Sequence, residues 1–294
     1  MKFKLLLLSL FILLSACSSK EAPQLKIIAN SWIGYSPLFY AKESGWLDEH
    51  NIKLSTVVSL GESMHIYQTN HMHAFTGTQY EYRQVLGQER SLMPIIMFNR
   101  SNGGDMVMSN HSLKTLEESS ETIDVYLEIN SINHVVFKDF IKRNRLENKT
   151  FNYINNDQLR IVSELESLPK IKRPTIVVTY VPYNHKLKTL GFQTLGSTRN
   201  GLDLLVVDAL YTNKENFAAH ENQFKALKTI VDRSLQALNN DPHEYYTKVK
   251  PYLENNSFEE FQSGLQDIEW LNHELSDALV KRLNQAQFPI RDLM

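Results

Sequence analysis

Ile27-Ile28-Ala29-Asn30-Ser31-Trp32-Ile33-Gly34-Tyr35-Ser36-Pro37-Leu38-Phe39-Tyr40-Ala41-Lys42-Glu43-Ser44-Gly45-Trp46-Leu47 reads as a strand, a polar-aromatic turn and a helix that starts at the turn. Ile27 and Ile28 belong to a short apolar run suited to a buried strand. Ser36-Pro37 predicts an N-cap with proline in the first helical position. Leu38, Ala41 and Leu47 carry the helical apolar pattern, with Gly45 as a late breaker. Asn30, Trp32, Gly34 and Tyr35 fall between the two elements, at the carboxyl end of a strand and beside free helix N–H groups, where open α/β sheets take their ligands. Packing of Trp32 and Tyr35 within a lobe is the alternative.

Outward from this stretch, strands and helices alternate. Candidate strands are Lys53–Val58, Met72–Phe75, Met93–Phe98, Asp105–Met108, Ile123–Leu127, Phe151–Ile154, Thr175–Tyr180 and Leu202–Val207. Several are continuous apolar runs, as in parallel sheets covered on both faces. Helical patterns lie between them, as at Ile132, Val136 and Phe140 and in a helix starting near Glu62. Beyond Asn213 the regime changes: Phe224, Leu227, Ile230, Val231, Leu235 and Leu238 mark one long amphipathic helix, and Asp241-Pro242 is a cap-and-proline restart. These patterns predict an α/β chain of two sheet-based lobes with a helical tail packed on the first. Lobe 1 is expected over 25–108 and 201–294, and lobe 2 over 109–200. The polar run Ser109-Asn110-His111-Ser112 is read as the exit from lobe 1, and Gly196 to Gly201 as the return. Two such crossings permit hinge closure on a ligand.

The amino terminus sets the expected compartment. Lys2 and Lys4 precede a dozen mostly apolar residues, Leu5 to Ala16, too short to span a bilayer and suited to export. Leu14-Ser15-Ala16-Cys17 resembles the lipobox of bacterial lipoproteins, which implies removal of the signal and lipidation of Cys17, followed by a tether over 18–24. Cys17 is the single cysteine, so an internal disulfide is excluded and lipidation would leave no free thiol nucleophile. The formal charge of −2 becomes about −4 once Lys2 and Lys4 are removed, which leaves no basic footprint for nucleic acid. The expected location is the periplasm or cell surface, with the chain anchored to a membrane and monomeric.

Trp32-Ile33-Gly34-Tyr35-Ser36-Pro37, with Ala41 and Gly45, resembles the first motif of the periplasmic substrate-binding proteins that serve nitrate, sulfonate, taurine and pyrimidine-precursor importers. His73-Ala74-Phe75-Thr76-Gly77-Thr78 with Glu81, Ser101-Asn102-Gly103-Gly104-Asp105, Glu128-Ile129-Asn130-Ser131 with His134, and Thr179-Tyr180-Val181-Pro182 resemble later motifs in the family's order. Leu190-Gly191-Phe192 and Leu202 to Val207 continue the match. The departures are His73 for the usual aspartate, Gly104 for alanine, and an eroded stretch at Leu116-Glu117-Glu118-Ser119-Ser120. The resemblance implies a type II periplasmic-binding-protein fold that closes on a small organic solute. Delivery to an ABC permease is the first expectation, and presentation to a membrane sensor is the alternative.

That clamp gives the candidate residues their roles. Trp32 and Tyr35 would form one aromatic wall with Asp105 beside them, and Glu128 and Tyr180 would face them across the gap. Asn30, Thr76, Ser101 and Ser131 sit at strand ends where their polar groups can fix a ligand or cap a turn. Asp105 and Glu128 favour an amine- or pyrimidine-like solute, whereas an inward Arg100 or Arg199 would favour a sulfonate-like one. No metal or cofactor is expected: His71 and His73, with His65 nearby, lack a fourth ligand element. Catalysis is not expected either. His220-Glu221, His243-Glu244 and His273-Glu274 begin like zinc-protease helices, but Phe224, Thr247 and Asp277 stand where the second histidine belongs. Enzymes of the thiamine-cleaving type on this fold rely on a cysteine nucleophile, a role closed to a lipidated Cys17.

Overall fold

The computed structural model describes residues 23–254, 256–272 and 275–294; the expected signal sequence, Cys17, most of the tether and His273-Glu274 lie outside the described residues. Two mixed sheets organise the chain. The first has the order β11-β4-β10-β3-β1-β2, formed by β1 (Leu25–Asn30), β2 (Ile52–Val57), β3 (Ala74–Thr78), β4 (Leu92–Ser101), β10 (Val207–Asn213) and β11 (Ile268–Trp270). The second has the order β7-β6-β8-β5-β9, formed by β5 (Asp105–Ser109), β6 (Ile123–Leu127), β7 (Phe151–Asn155), β8 (Thr175–Tyr180) and β9 (Gln193–Ser197). In each sheet a parallel group meets a returning antiparallel strand, β10 in the first and β5 in the second, and the edge strand β11 of the first sheet also runs antiparallel. This is the two-lobed α/β architecture expected.

Helices cover both sheets. In the first lobe these are α1 (Ser36–Glu43), α2 (Leu60–Gln68) and α3 (Gln79–Leu86); in the second, α4 (Leu113–Glu118), α5 (Ile132–Arg143), α6 (Gln158–Ser167) and α7 (Asn184–Thr189). Ile132, Val136 and Phe140 of α5 are buried, which accounts for the spacing seen in sequence. The tail begins with α8 (Lys214–Asn240), which packs on α1, β4 and β10 through the buried Phe224, Leu227, Ile230 and Val231. Each of these side chains contributes roughly 1.5–3 kcal/mol by leaving water. Asp241 accepts from the His243 and Glu244 amides, at 3.1 and 2.9 Å, and so starts α9 (Pro242–Val249), as the Asp-Pro pair predicts. α10 (Phe258–Leu265) and α11 (Asp277–Gln285) complete the tail.

The crossings differ from their expected places. Asp105–Ser109 pairs with β8 and β9, so the chain leaves the first lobe at Asn102–Gly104, before the polar run at 109–112. It returns over 198–206, and the backbone ladder resumes at Val207, so most of Leu202–Val207 is a crossing segment and not a strand. The two crossings are tied together. Ser101 N donates to Val206 O at 3.0 Å, and Gly103 N donates to Thr198 Oγ1 at 2.8 Å. The Asp267 carbonyl accepts from both Asn102 N and Gly104 N, at 2.8 and 2.9 Å, and its carboxylate lies 3.2 Å from the Arg199 guanidinium. Gly103 has φ +123°, and a Cβ there would sit 2.7 Å from Asp267 Oδ1, so both conformation and space require glycine.

Candidate functional site

Strand β1 ends at Asn30, and the chain then turns through Ser31 and Trp32 into a 3₁₀ turn over Ile33–Tyr35 before α1. The backbone is therefore already helical at Ser36, so this residue does not act as the side-chain N-cap that Ser36-Pro37 suggests; its hydroxyl accepts from Tyr245 Oη at 3.2 Å. Asn99 of β4 holds the turn from below. Its Oδ1 accepts from Trp32 Nε1 and its Nδ2 donates to Gly34 O, each at 3.1 Å. A Cβ on Gly34 would lie 2.1 Å from Asn99 Nδ2, so this clasp exists only because residue 34 has no side chain. Tyr35 is fully buried, packs edge-on against Phe98, and donates to Asp208 Oδ1 at 2.7 Å.

The second sheet brings Asp105 and Tyr180 to the same place as cross-strand partners at the ends of β5 and β8. Asp105 thus approaches from the second lobe, not from beside Trp32 and Tyr35 as expected, because its strand pairs across the crossing. Glu128 follows β6 and accepts from Tyr180 Oη at 3.3 Å. The lobes meet directly at several points. Trp32 and Tyr180 stand edge to face with centroids 5.9 Å apart; Ser59 donates to Glu128 Oε2 at 2.8 Å; Ser31 and Tyr183 hydroxyls are 2.8 Å apart. Glu81 is the most unusual link. Its carboxylate accepts from Thr78 N at 2.9 Å and from the Thr78 hydroxyl, completing a capping box on α3, and also from Ile132 N at 3.0 Å, the first residue of α5 in the other lobe.

Glu81, Asp105, Glu128 and Asp208 are all buried, and among the described residues no lysine or arginine is buried with them. Burial pushes the Asp105 carboxyl up to about 7, with the Glu81 charge adding to the effect and the Ser101 hydroxyl opposing it. Glu128 is likewise pushed up to about 7, chiefly by burial and against hydrogen bonds from Ser59 and Tyr180. Asp208 is raised well above the carboxylate range by burial and by Asp105 and Glu81, although Tyr35 partly stabilises its charge. Glu81 is raised by burial, and the N–H and O–H groups donated to it hold the rise back. The two candidate arginines serve elsewhere. Arg100 pairs with Glu269 at 2.5 Å, and Arg199 reaches Asp267 and the Gln266 carbonyl at the hinge.

The remaining candidates divide by what occupies their polar atoms. Ser131 caps α5, accepting from Asn133 N at 3.2 Å and donating to Glu128 O at 3.0 Å. Ser101 accepts from Asp105 N at 2.8 Å and shares a 2.7 Å bond with Thr198, so its hydroxyl is taken up in joining the two crossings. Asn30 and Thr76 are different: both are completely buried, and neither the Asn30 amide atoms nor Thr76 Oγ1 has a hydrogen-bond partner. The Asn30 amide faces the Tyr180 hydroxyl without achieving normal bonding geometry. Asp208, Asn99 and Ser59 were not among the sequence candidates. Asp208 carried a readable signal, an acid following the apolar Leu204-Leu205-Val206-Val207 run.

At the mouth of the cleft lies a cavity of about 410 Å³, bordered by Ser59, Glu62 and His65 from the first lobe and by Glu128, Asp157 and Arg160 from the second. His73 Nδ1 accepts from Lys26 N at 3.0 Å and its ring packs at a tilt against His220, 4.4 Å between centroids. Among the described residues no group of three or more His, Cys, Asp or Glu is arranged to hold a metal, and no helix is long and apolar enough to cross a membrane.

No protein-family profile matches the chain, and no curated protein matches it in sequence. Solved structures do match in fold. The alkanesulfonate-binding protein SsuA from Xanthomonas axonopodis pv. citri, bound to MOPS, is 10% identical with a TM-score of 0.68, covering 91% of this chain and 92% of that one. The ligand-binding component of an ABC-type import system from Staphylococcus aureus, with zinc bound, is 11% identical with a TM-score of 0.68, covering 90% and 92%. The periplasmic nitrate-binding protein NrtA from Synechocystis PCC 6803 is 11% identical with a TM-score of 0.61, covering 82% and 69%. The chain therefore has the fold of periplasmic binding proteins.

Proposed function

We propose that this chain is an extracytoplasmic solute-binding protein, lipid-anchored through Cys17, that closes on a small organic solute and delivers it to an ABC permease. The observation that carries this reading is the convergence of Trp32 and Asp208 from one sheet with Asp105, Glu128 and Tyr180 from the other, across two adjacent crossings. A site assembled from two hinged halves gains ligand contacts only on closure, which suits capture and release better than turnover. The ligands named for the similar structures support a small solute, and their roles in import support a permease partner. The expected periplasmic or surface location follows from the same likeness together with the lipobox.

The test is a distance measurement across the cleft mouth. In a Cys17→Ser background, spin labels at His65→Cys and Arg160→Cys, both exposed positions, report lobe separation by pulsed electron resonance. The expected result is a distribution that narrows and shortens when a low-molecular-mass extract of growth medium is added. One fixed distance that no extract fraction changes would remove the clamp from consideration.

A further inference from the structure

We propose that the solute is an organic cation bearing N–H donors, such as a protonated amine, an amidine or a protonated aminoheterocycle, held between Asp105, Glu128 and Asp208. This rests on the solute-binding reading above and specifies its ligand class.

Three buried carboxyl groups border the contact between the lobes: Asp208 on β10, Asp105 on β5, where it is the cross-strand partner of Tyr180, and Glu128 after β6, which accepts from Tyr180 Oη. Glu81 lies beside them, but its oxygens are engaged by Thr78 and Ile132. These groups feel one another's charge: Asp105 acts on Asp208 and Tyr180, Glu128 on Tyr180, and Glu81 on Asp105, Glu128 and Asp208. A group of buried acids without a cation needs either protons or a positive partner. Among the described residues no ion pair supplies one to any of the four, and Arg100 and Arg199 are paired with Glu269 and Asp267.

Independent of the charges, several polar groups here await a partner. Asn30, fully buried at the end of β1 and facing Tyr180, has neither amide atom bonded; the Thr76 hydroxyl and Asp208 Oδ2 are likewise buried without a bonded partner, although the Trp32 N–H lies near enough to favour the Asp208 charge. Asn30 Oδ1 and Asp208 Oδ2 are acceptors, which suits a ligand that donates. The donors in the same place are already committed: Trp32 Nε1 to Asn99, Tyr35 Oη to Asp208 and Tyr180 Oη to Glu128. A sulfonate, nitrate or carboxylate would therefore meet three acids with Asn30 Nδ2 and the Thr76 hydroxyl as its free donors. A cation would neutralise the acids and lie against the Trp32 and Tyr180 rings, whose π faces attract positive charge.

The experiment is thermal-shift and calorimetric titration of the purified mature protein at pH 8 with shape-matched probes at 1 mM: benzamidine, benzylamine, agmatine and 4-aminopyridine against benzoate, benzenesulfonate and nitrate. At least one cation is expected to raise the melting temperature by several degrees, and none of the anions. The shift should fall at least tenfold in affinity in Asp208→Asn and in Asp105→Asn, each checked for an intact melting transition. Stabilisation by an anion, or a cation shift untouched by both substitutions, overturns the charge assignment and leaves solute binding standing. No shift from any probe overturns the assignment and counts against the clamp as well.

Discussion

Asp105→Asn should make the protein more stable at pH 8 and no more stable at pH 4. In the unfolded chain this aspartate titrates near 3.9, while burial lifts it to about 7 in the folded protein. Between these values the native state holds a proton that the unfolded chain has released, so stability falls as pH rises from about 4 to 7 and stays low above. A shift of about 3 pH units corresponds to roughly 4 kcal/mol at most, because each unit is 1.36 kcal/mol. Asparagine preserves the shape and keeps the main-chain N–H bond to the Ser101 hydroxyl, yet carries no charge to desolvate. With a urea m-value of about 2–3 kcal/mol/M, the denaturation midpoint at pH 8 should move up by roughly 1.5 M. Tryptophan fluorescence on urea titration at pH 4, 6 and 8 reads this directly. A variant less stable than the parent at pH 8, or a difference constant across the three pH values, would refute the picture of Asp105 as a buried acid without a positive partner.

Further outcomes follow from named contacts. Gly34→Ala places a methyl against Asn99 and breaks the Trp32–Asn99–Gly34 clasp, two buried hydrogen bonds plus overpacking, with an expected loss of about 2–5 kcal/mol in urea denaturation. Glu81→Ala removes the carboxylate that joins α3 to α5, so hydrogen exchange at the Ile132 amide should accelerate and the spin-label distances across the cleft mouth should lengthen. Arg100→Ala, at a half-exposed pair with Glu269, should cost under about 1 kcal/mol and leave probe binding unchanged.

The fold was legible where burial and pairing coincide. Ile123–Leu127 and Thr175–Tyr180 are interior strands of the second sheet, and their apolar runs match the ladders residue for residue. β9 and β11 were missed because each is an edge strand with one neighbour, and Gln193-Thr194 and Glu269 need not be apolar there. Leu202–Val207 misled for the opposite reason: its residues are apolar because the crossing is partly buried, not because it pairs. In the site, Trp32, Asp105, Glu128 and Tyr180 do converge, since each stands at a strand end that the alternating pattern locates. The lobe that carries Asp105 is marked in the sequence by the polar and glycine run Asn99-Arg100-Ser101-Asn102-Gly103-Gly104, but the later polar run Ser109–Ser112 competes with it, and only the pairing of Asp105–Ser109 with β8 and β9 decides between them. Glu81 was visible as the last residue of a Thr78-x-x-Glu81 capping box, but its reach to Ile132 depends on how two distant elements meet.

The Asp267 carbonyl, which takes both Asn102 N and Gly104 N while its side chain pairs with Arg199, has a mechanical consequence. The two crossings are already bonded to each other through Ser101–Val206 and Gly103–Thr198. Fastened as well to one residue of the carboxyl-terminal tail, they share a fulcrum, so that a swing of the second lobe would pivot about Asp267. Cutting the tail before α10 would remove that shared fulcrum and leave only the two direct bonds between the crossings to fix how the second sheet meets the first.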